Sequence, residues 1–447
     1  MQDCHEKDSR KSSSYGGVFP VTVFTVPADC GGSCLYCPQE KGMPRGYVSN
    51  RSLRRALNLG FDPVLQVRAS TETLLGTRAC GALPLEVIIL GGSFSALGQA
   101  YRLAFMSQIY GELGGYNAVQ DAQREEDLFR CSILTVECRP DQITDEECIF
   151  MRKLGVSKVE LGVQHLIEHV LEANNRGHGV EAVRKATFQL KQHGFKVGYH
   201  VMVGLPGSTI ADDIWMLSEG LWQTEYSPDF LKVYPCALLK DVELQPELHS
   251  LYRAGKWAPP TVEHVRKLLA VLASAVPPYV RVARVGRMFG EHDHEVTSYR
   301  GIREDRKHGC RCIRCREVGQ SKIADSACIS SPTQFRVTNL EDEWICEALG
   351  DRDILLGLVR LRFRGNSAAV IREIHVYGAA TAVGTVGQVQ GHGIGGALLE
   401  RAEVVALNNG TVDLFVNAAV GARSFFRDHG YFDSKDGYLM KHLVRDL

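Results

Sequence analysis

The sequence predicts an α/β protein of two units: a parallel (β/α) barrel, complete or partial, then a smaller mixed unit, joined by a basic, cysteine-rich linker. Three observations carry that prediction. Short apolar runs alternate with helical stretches up to about residue 280, the pattern of parallel βα units. Residues 281–316 then hold ten Lys/Arg against five Asp/Glu, plus three closely spaced cysteines. Beyond residue 320, two adjacent strand-like runs precede a glycine-rich turn and a helix. The expected units are a polar tail (1–17), the barrel (18–280), the linker (281–319) and the smaller unit (320–447).

Residues 18–26 read as a buried strand that leads into the first cysteine loop. Further strands are expected at 85–90, 133–137, 158–163, 197–203 and 230–234, most ending in a polar or glycine-rich turn. Helices are expected between them, for example over 144–154 and 180–193. Barrel enzymes place their chemistry in loops at the C-terminal ends of such strands. In the smaller unit, strands at 354–362 and 368–377, a helix over 397–407, a strand at 412–417 and a helix over 422–429 are expected. Residues 378–387, rich in glycine and alanine, predict a mobile loop.

Composition sets bounds. Of 447 residues, 45% are hydrophobic and 23% charged, as in ordinary globular proteins. The formal net charge is -1, so a nucleic-acid surface has to be a local patch. No apolar run approaches a membrane span, and the first residues lack an apolar signal core, so a cytosolic protein is the expectation. Six of fourteen cysteines fall in two tight clusters, which suggests metal rather than disulfides in a reducing compartment.

The first cluster is Cys30, Cys34 and Cys37, spaced C-x3-C-x2-C with Tyr36 before the third cysteine. Three thiolates can hold three irons of a [4Fe-4S] cube and leave one iron open to substrate. The competing readings are half a zinc site or a redox CxxC pair. This spacing is the signature of the radical SAM enzymes, in which the open iron takes S-adenosylmethionine (SAM). Electron transfer into the sulfonium then releases a 5′-deoxyadenosyl radical. Barrel-end residues Gly91, Gly92, Ser93, Glu137, Arg139 and Gln164 are the candidate SAM ligands. The glycines permit close backbone approach, and Glu137 and Arg139 lie near a strand end. A structural ion pair is the competing role for those two.

The second cluster, Cys310, Cys312 and Cys315, suits zinc with a fourth ligand left open among His292, His294 and His308. The surrounding Arg281, Arg284, Arg287, Arg300, Arg303, Arg306, Lys307, Arg311, Arg314 and Arg316 form the expected phosphate-binding patch. A solvated, salt-bridged surface is the bland alternative. His165 and His169 stand four apart, more in keeping with ordinary helix residues than with a metal pair.

Near the C-terminus, Gln390-Gly391-His392-Gly393-Ile394-Gly395 follows a strand and opens a helix. Such a turn suits a pyrophosphate at a helix N-terminus. A plain helix cap is the alternative. With Arg372-Glu373-Ile374-His375-Val376 before it and Phe425-Phe426-Arg427-Asp428-His429-Gly430-Tyr431 after it, the unit resembles the GNAT acetyltransferases. That resemblance implies acetyl-CoA on Glu373, Ile374, His375 and Val376 along the pantetheine. Gln390, Gly393, Ile394, Gly395 and Gly396 would lie at the pyrophosphate, with Phe426 beside them.

A radical SAM barrel followed by a GNAT domain resembles the catalytic subunit of Elongator in its bacterial or archaeal form. Matching segments run from residue 18 to the C-terminus. They include Leu90-Gly91-Gly92-Ser93-Phe94, Val136-Glu137-Cys138-Arg139-Pro140-Asp141, Glu160-Leu161-Gly162-Val163-Gln164, Asn175-Arg176-Gly177-His178, Leu231-Lys232-Val233-Tyr234-Pro235 and Cys315-Arg316-Glu317-Val318-Gly319. The family implies a tRNA-modifying enzyme that builds carboxymethyl on carbon 5 of the wobble uridine. The implied radical takes hydrogen from the acetyl methyl, the carbon radical adds to uridine, and thioester hydrolysis leaves the carboxymethyl group. The implied partners are acetyl-CoA, an external electron donor for the cluster and the anticodon stem-loop of tRNA. The two sites are expected to share a closed interface that excludes water.

Departures from the family pattern stand at three places. The spacing before Cys34 is the shorter general form, a lysine of the family is Pro84, and its tyrosine pair is Phe425-Phe426. The N-terminal extension of longer relatives is nearly missing, so tRNA binding is expected to rest more on residues 281–316. Two other functions fit parts of the chain: a protein lysine acetyltransferase using the second unit alone, and a non-catalytic RNA-binding module with structural metals.

Overall fold

Strand-forming apolar runs recur through the first half of the chain, and in the computed structural model each becomes one strand of a seven-stranded parallel sheet. The structure describes residues 16–75, 82–114, 129–286, 299, 302, 309–320, 332–365 and 367–444. The strands are β1 (Phe19–Phe24), β2 (Leu83–Leu90), β3 (Phe129–Cys138), β4 (Lys158–Gln164), β5 (Lys196–Val203), β6 (Phe230–Pro235) and β7 (Arg281–Val285), in sequential order. All six neighbouring pairs are parallel, so every connection crosses over and carries helix. Residues of both edge strands, Thr22 of β1 and Arg284 of β7, line the same cavity, so the sheet curls. No β7–β1 pairing occurs among the described residues, and the barrel is partial.

Local signals place the helices. Thr144 caps Asp145–Lys153 by accepting the Glu147 N–H at 3.1 Å, and Asp145, Glu146 and Glu147 put negative charge in its first turn. Thr209 and Asp212 form a reciprocal capping box at the start of Ile210–Ser218. The helix Val180–Gln192 buries Val183, Ala186, Thr187 and Leu190 at helical spacing.

The second sheet has the order β13-β14-β12-β11-β10-β9-β8. Its strands are β8 (Gln334–Asn339), β9 (Glu343–Leu349), β10 (Leu355–Arg364), β11 (Ala368–Val376), β12 (Asp413–Val416), β13 (Phe432–Asp433) and β14 (Leu439–His442). All pairs are antiparallel except β11 with β12. That parallel pairing ends at Ile371 with Val416, while β11 continues to Val376. The two strands therefore splay, and beyond Ile371 β11 has no strand partner on that side.

The two units meet over a buried ionic face. Arg372 and Arg360 of the second sheet reach Asp229 beside β6, and Lys196 of β5 pairs with Glu373. Residues 378–387 are not a free loop. Ala382 is buried, Val383 donates to the Ala82 carbonyl at 2.8 Å, and the Gln390 side chain accepts from the Thr381 N–H at 3.0 Å. Small side chains let this strap lie against the first unit. The stretch read as the start of the linker is β7, because Val282 and Val285 pack into the barrel core.

Candidate active site

The cysteine loop follows β1 directly and borders a cavity of about 410 Å³ at the C-terminal ends of the barrel strands. Cys30, Cys34 and Cys37 line it together with Gly92, Glu137, Arg139, Gln164 and Arg176. Neighbouring segments fix the loop: the Leu35 N–H donates to the Asn174 carbonyl at 3.1 Å, and the Gln245 side-chain amide donates to the Tyr36 carbonyl at 2.8 Å. Gly31 turns at φ 74° and donates to Asp29 at 3.0 Å.

Sequence placed Gly91, Gly92 and Ser93 together at the SAM site, and the structure divides their roles. Gly92, at φ 104°, faces the cavity. Gly91, at φ 147°, packs so closely on Thr25 that a Cβ would fall 2.0 Å from its hydroxyl oxygen. Ser93 is buried outside the cavity lining, where its hydroxyl oxygen accepts the Arg139 N–H at 3.1 Å. That bond fixes the backbone of the arginine.

Arg139 is buried, and Asp141 holds its Nε and Nη2 at 3.0 and 2.9 Å. Its Nη1 is buried without a hydrogen-bond partner and lies against the Gly32 position of the cysteine loop. A buried unpaired donor is costly unless a ligand supplies the acceptor. The ion pair with Asp141 therefore leaves one terminal nitrogen of the same side chain without a partner. Arg176 has no role assigned from sequence beyond its place in a family segment. It is buried, sends Nη2 to the Gly162 carbonyl at 2.6 Å and sets Nη1 3.7 Å from the Cys34 sulfur. Burial and the nearby Arg176 push the pKa of His178 down to about 4.

Below this cavity the barrel interior is charged instead of aliphatic. On β4 alternate residues face inward. There Lys158, Glu160, Gly162 and Gln164 supply no aliphatic side chain. Lys158 bonds Glu86 at 2.9 Å and Glu160 at 3.2 Å. Glu160 also takes Lys232 and, at 2.6 Å, His200. Burial would raise the Glu160 pKa, but Lys232 and Lys158 outweigh it and hold the carboxyl well below the usual range. Glu137, at the upper end, accepts from the Tyr47 hydroxyl. Glu137, Glu160 and His200 lie close enough to share a cation. The two ammonium groups on Glu160 already fill that need.

At the N-terminal ends of the same strands lies a second cavity of about 80 Å³. One wall is the β11/β12 splay, with Ile374, Val416 and Phe426; the other is Ser157, Lys158 and Lys196 of the barrel. The two cavities therefore occupy the two ends of one barrel interior, with the layer of Lys158, Glu160 and Lys232 between them. Of the residues predicted for acetyl-CoA, Glu373, Ile374, His375 and Phe426 line this second cavity. The Glu373 side chain is engaged by Lys196 and Arg360, which outweigh the burial effect and hold its pKa at about 2. His375 bonds the Gly16 carbonyl at 2.6 Å, and burial followed by Lys196 lowers its pKa to about 4.

Gly393, at φ 79°, caps the helix Ile394–Asn408, and no atom lies within 4 Å of where its Cβ would sit. Space beside the turn at this helix start is therefore open. Gly395 and Gly396 instead face Phe425 and His429 closely. Gln390 was expected at the pyrophosphate; its side chain is engaged within the protein. Its Nε2 donates to the Gly17 carbonyl at 3.1 Å and the Val376 carbonyl at 3.2 Å, and its Oε1 accepts from Thr381, so the amide ties chain segments together.

In the linker, the sulfurs of Cys310, Cys312 and Cys315 all lie within 4.8 Å of one another. His292, His294 and His308, with Arg287, Arg300, Arg303, Arg306 and Lys307, fall outside the described residues. Among the described arginines, Arg284 and Arg311 are exposed, whereas Arg281 and Arg316 are drawn into the protein. Arg281 is held by Glu317, and Arg316 by Glu347 and the Pro278 carbonyl. A buried guanidinium needs a partner, and these two find theirs at the junction of the units. The prediction that Arg281 and Arg316 face phosphates is therefore corrected. Arg284 lines the main cavity, Arg311 is exposed but paired with Asp353 at 3.0 Å, and Arg314 is half-buried. His165 is buried against Asp213 at 3.3 Å, as an ordinary core histidine. No helix among the described residues is long and apolar enough to cross a membrane.

Comparison with known proteins agrees with this architecture. Residues 25–217 match the model of the radical SAM superfamily. A tRNA uridine(34) acetyltransferase of Dehalococcoides mccartyi (strain CBDB1) is 32% identical, over 97% of this chain and 99% of its own. Elongator complex protein 3 of Homo sapiens is 30% identical, over 93% of this chain and 82% of its own. The solved structure of archaeal Methanocaldococcus infernus Elp3 with an N-terminal deletion (1–46) superposes with a TM-score of 0.78 at 28% identity, covering 96% of this chain and 100% of that one. With kinship at this level along nearly its whole length, the chain belongs to the family of tRNA uridine(34) acetyltransferases and Elongator complex protein 3.

Proposed function

We propose that the protein modifies uridine 34 of tRNA, joining a carboxymethyl group drawn from acetyl-CoA to carbon 5 of the base by radical chemistry. The observation that carries this reading is the placement of the two cavities at opposite ends of one barrel interior. A scaffold for acetyl transfer alone would need an open acceptor side at the splay, and here Ser157, Lys158 and Lys196 cover it.

The residues at the larger cavity fit the groups the radical SAM family implies. Cys30, Cys34 and Cys37 supply three thiolates for a [4Fe-4S] cluster, and the free Nη1 of Arg139 suits a ligand carboxylate. Cluster and SAM together supply a 5′-deoxyadenosyl radical when bound. The protein's own contributions are distinct. Arg176 places positive charge beside the Cys34 sulfur, which favours electron-rich forms of whatever that sulfur holds. The buried walls exclude water from reactive species. At the other end, the stretch of β11 beyond Ile371, without a strand partner on that side, suits the amides of pantetheine, and the open helix start at Gly393 suits its pyrophosphate. Cys310, Cys312 and Cys315 lie close enough for one zinc ion with Zn–S bonds of about 2.3 Å, pinning the linker.

The test is anaerobic reconstitution of the protein and its Cys34→Ser variant. The wild type is expected to show iron–sulfur absorption, release 5′-deoxyadenosine from SAM and form 5-carboxymethyluridine on tRNA. The variant is expected to lose all three while binding acetyl-CoA normally. Deoxyadenosine release by the variant would refute the cluster assignment.

A further inference from the structure

The chain is almost neutral, yet residues 41–61 carry five cations, Lys41, Arg45, Arg51, Arg54 and Arg55, and no carboxylate. The segment continues directly from the cysteine loop. Asn50 caps the helix Arg51–Asn58 by accepting the Leu53 N–H at 3.0 Å. The helix buries Leu53 and Ala56, three apart, in a small cluster with Phe24 and Phe61. That anchoring turns Arg51, Arg54 and Arg55 outward, and all three are exposed. Among the described residues Arg51 and Arg54 have no ion-pair partner, and Arg55 reaches only the Ser70 hydroxyl at 2.9 Å. Uncompensated charge of one sign on one short element is the footprint of a polyanion surface.

Its position gives the strip a purpose. Arg45, Asn50 and Ser52 line the cavity that holds the three cysteines. The Arg45 Nε is buried without a partner among the described residues, a donor directed to something the protein does not supply. The positive strip thus begins inside the rim and continues outward along the helix. Arg281 and Arg316, by contrast, spend their charge on Glu317 and Glu347. A base read by such a cavity has to be splayed from its strand, which draws the flanking phosphates across the rim.

We propose that Lys41, Arg45, Arg51, Arg54 and Arg55 seat the RNA backbone flanking the uridine that enters the cavity. The inference rests on the tRNA reading above and names its contact surface. Arg45 takes a phosphate at the rim, and Arg51 and Arg54 take phosphates further along the strand. These contacts are to backbone and carry affinity without sequence choice.

The experiment measures binding of a fluorescent anticodon stem-loop to the cluster-loaded protein between about 50 and 200 mM salt. The Arg51→Glu/Arg54→Glu variant is expected to bind at least about tenfold more weakly, with a log–log salt slope shallower by about 1.4 for two lost contacts at about 0.7 each. A Lys185→Glu/Lys435→Glu variant makes the same change in net charge elsewhere and is expected to bind like the wild type. Iron content, thermal unfolding and RNA-free deoxyadenosine release report folding and are expected to be unchanged in both. Equal affinity and slope for the strip variant and the wild type would overturn the proposal. Equal losses in both double variants would overturn it as well, because only net charge would then matter. A wild type with no affinity for the stem-loop would instead overturn the tRNA reading on which it rests.

Discussion

Arg372 of β11 lays its two terminal nitrogens on the two carboxylate oxygens of Asp229, each at 2.8 Å. The bond joins units whose partners stand 143 residues apart in sequence. Both side chains are almost wholly buried, and Arg372 also donates to the Phe195 carbonyl at 2.7 Å. This pair fixes the splay of the second sheet over the floor of the barrel.

Removing one partner leaves this buried network one charge short, although Arg360 still reaches Asp229 and Glu343 still reaches Arg372. Asp229→Asn is expected to cost about 3–5 kcal/mol of stability. Arg372→Met is expected to cost a similar amount, and the double variant less than the sum. Denaturant unfolding of the three variants checks this. Additive losses would show that the pair does not act as a unit.

Acid should loosen the same junction. His375 is half-buried, and its folded pKa is held down to about 4, against an ordinary value of 6.5. Between those values the unfolded chain binds the proton that the folded chain refuses, so stability rises with pH across the window. It is lost as pH falls from 6.5 toward 4. His375→Gln is expected to remove about 2 kcal/mol of that pH dependence. Urea unfolding at pH 7 and pH 4.5 measures it, and an equal slope in both proteins would count against the assignment.

Lys158 touches both ends of the barrel interior: it lines the smaller cavity and pairs with Glu86 and Glu160. Its ammonium also lies 4.0 Å from the centre of the Phe230 ring. Lys158→Met is expected to unseat the layer between the cavities. Modified uridine should fall about 10–100-fold, as misplacement of reacting groups costs, while RNA-free deoxyadenosine release changes little. Equal loss of both activities would mean that the lysine serves the radical step itself.

Much of this was legible in the chain. The helix expected over 144–154 is Asp145–Lys153, because Thr144 and the following acids are local signals. The cysteine loop needed only its spacing. Other elements were hidden. Every residue of β9, Glu343–Leu349, is buried, so it lacks the alternation that marks a strand. Arg281–Val285 reads as basic linker, yet its valines complete the barrel. Arg176 was visible only as part of a family segment, since its approach to Cys34 spans 142 residues.

Sequence by itself determined the thiolate loop, the glycine-rich helix start and the order of the two α/β units, because each depends on residues close together in the chain. Tertiary structure alone decided which arginines remain free. Glu317, Glu347 and Asp229 come from distant segments to neutralise Arg281, Arg316 and Arg372, while no carboxylate among the described residues reaches Arg51 or Arg54. Whether a charge is available depends on what desolvates and pairs it, and that is a property of packing rather than of composition.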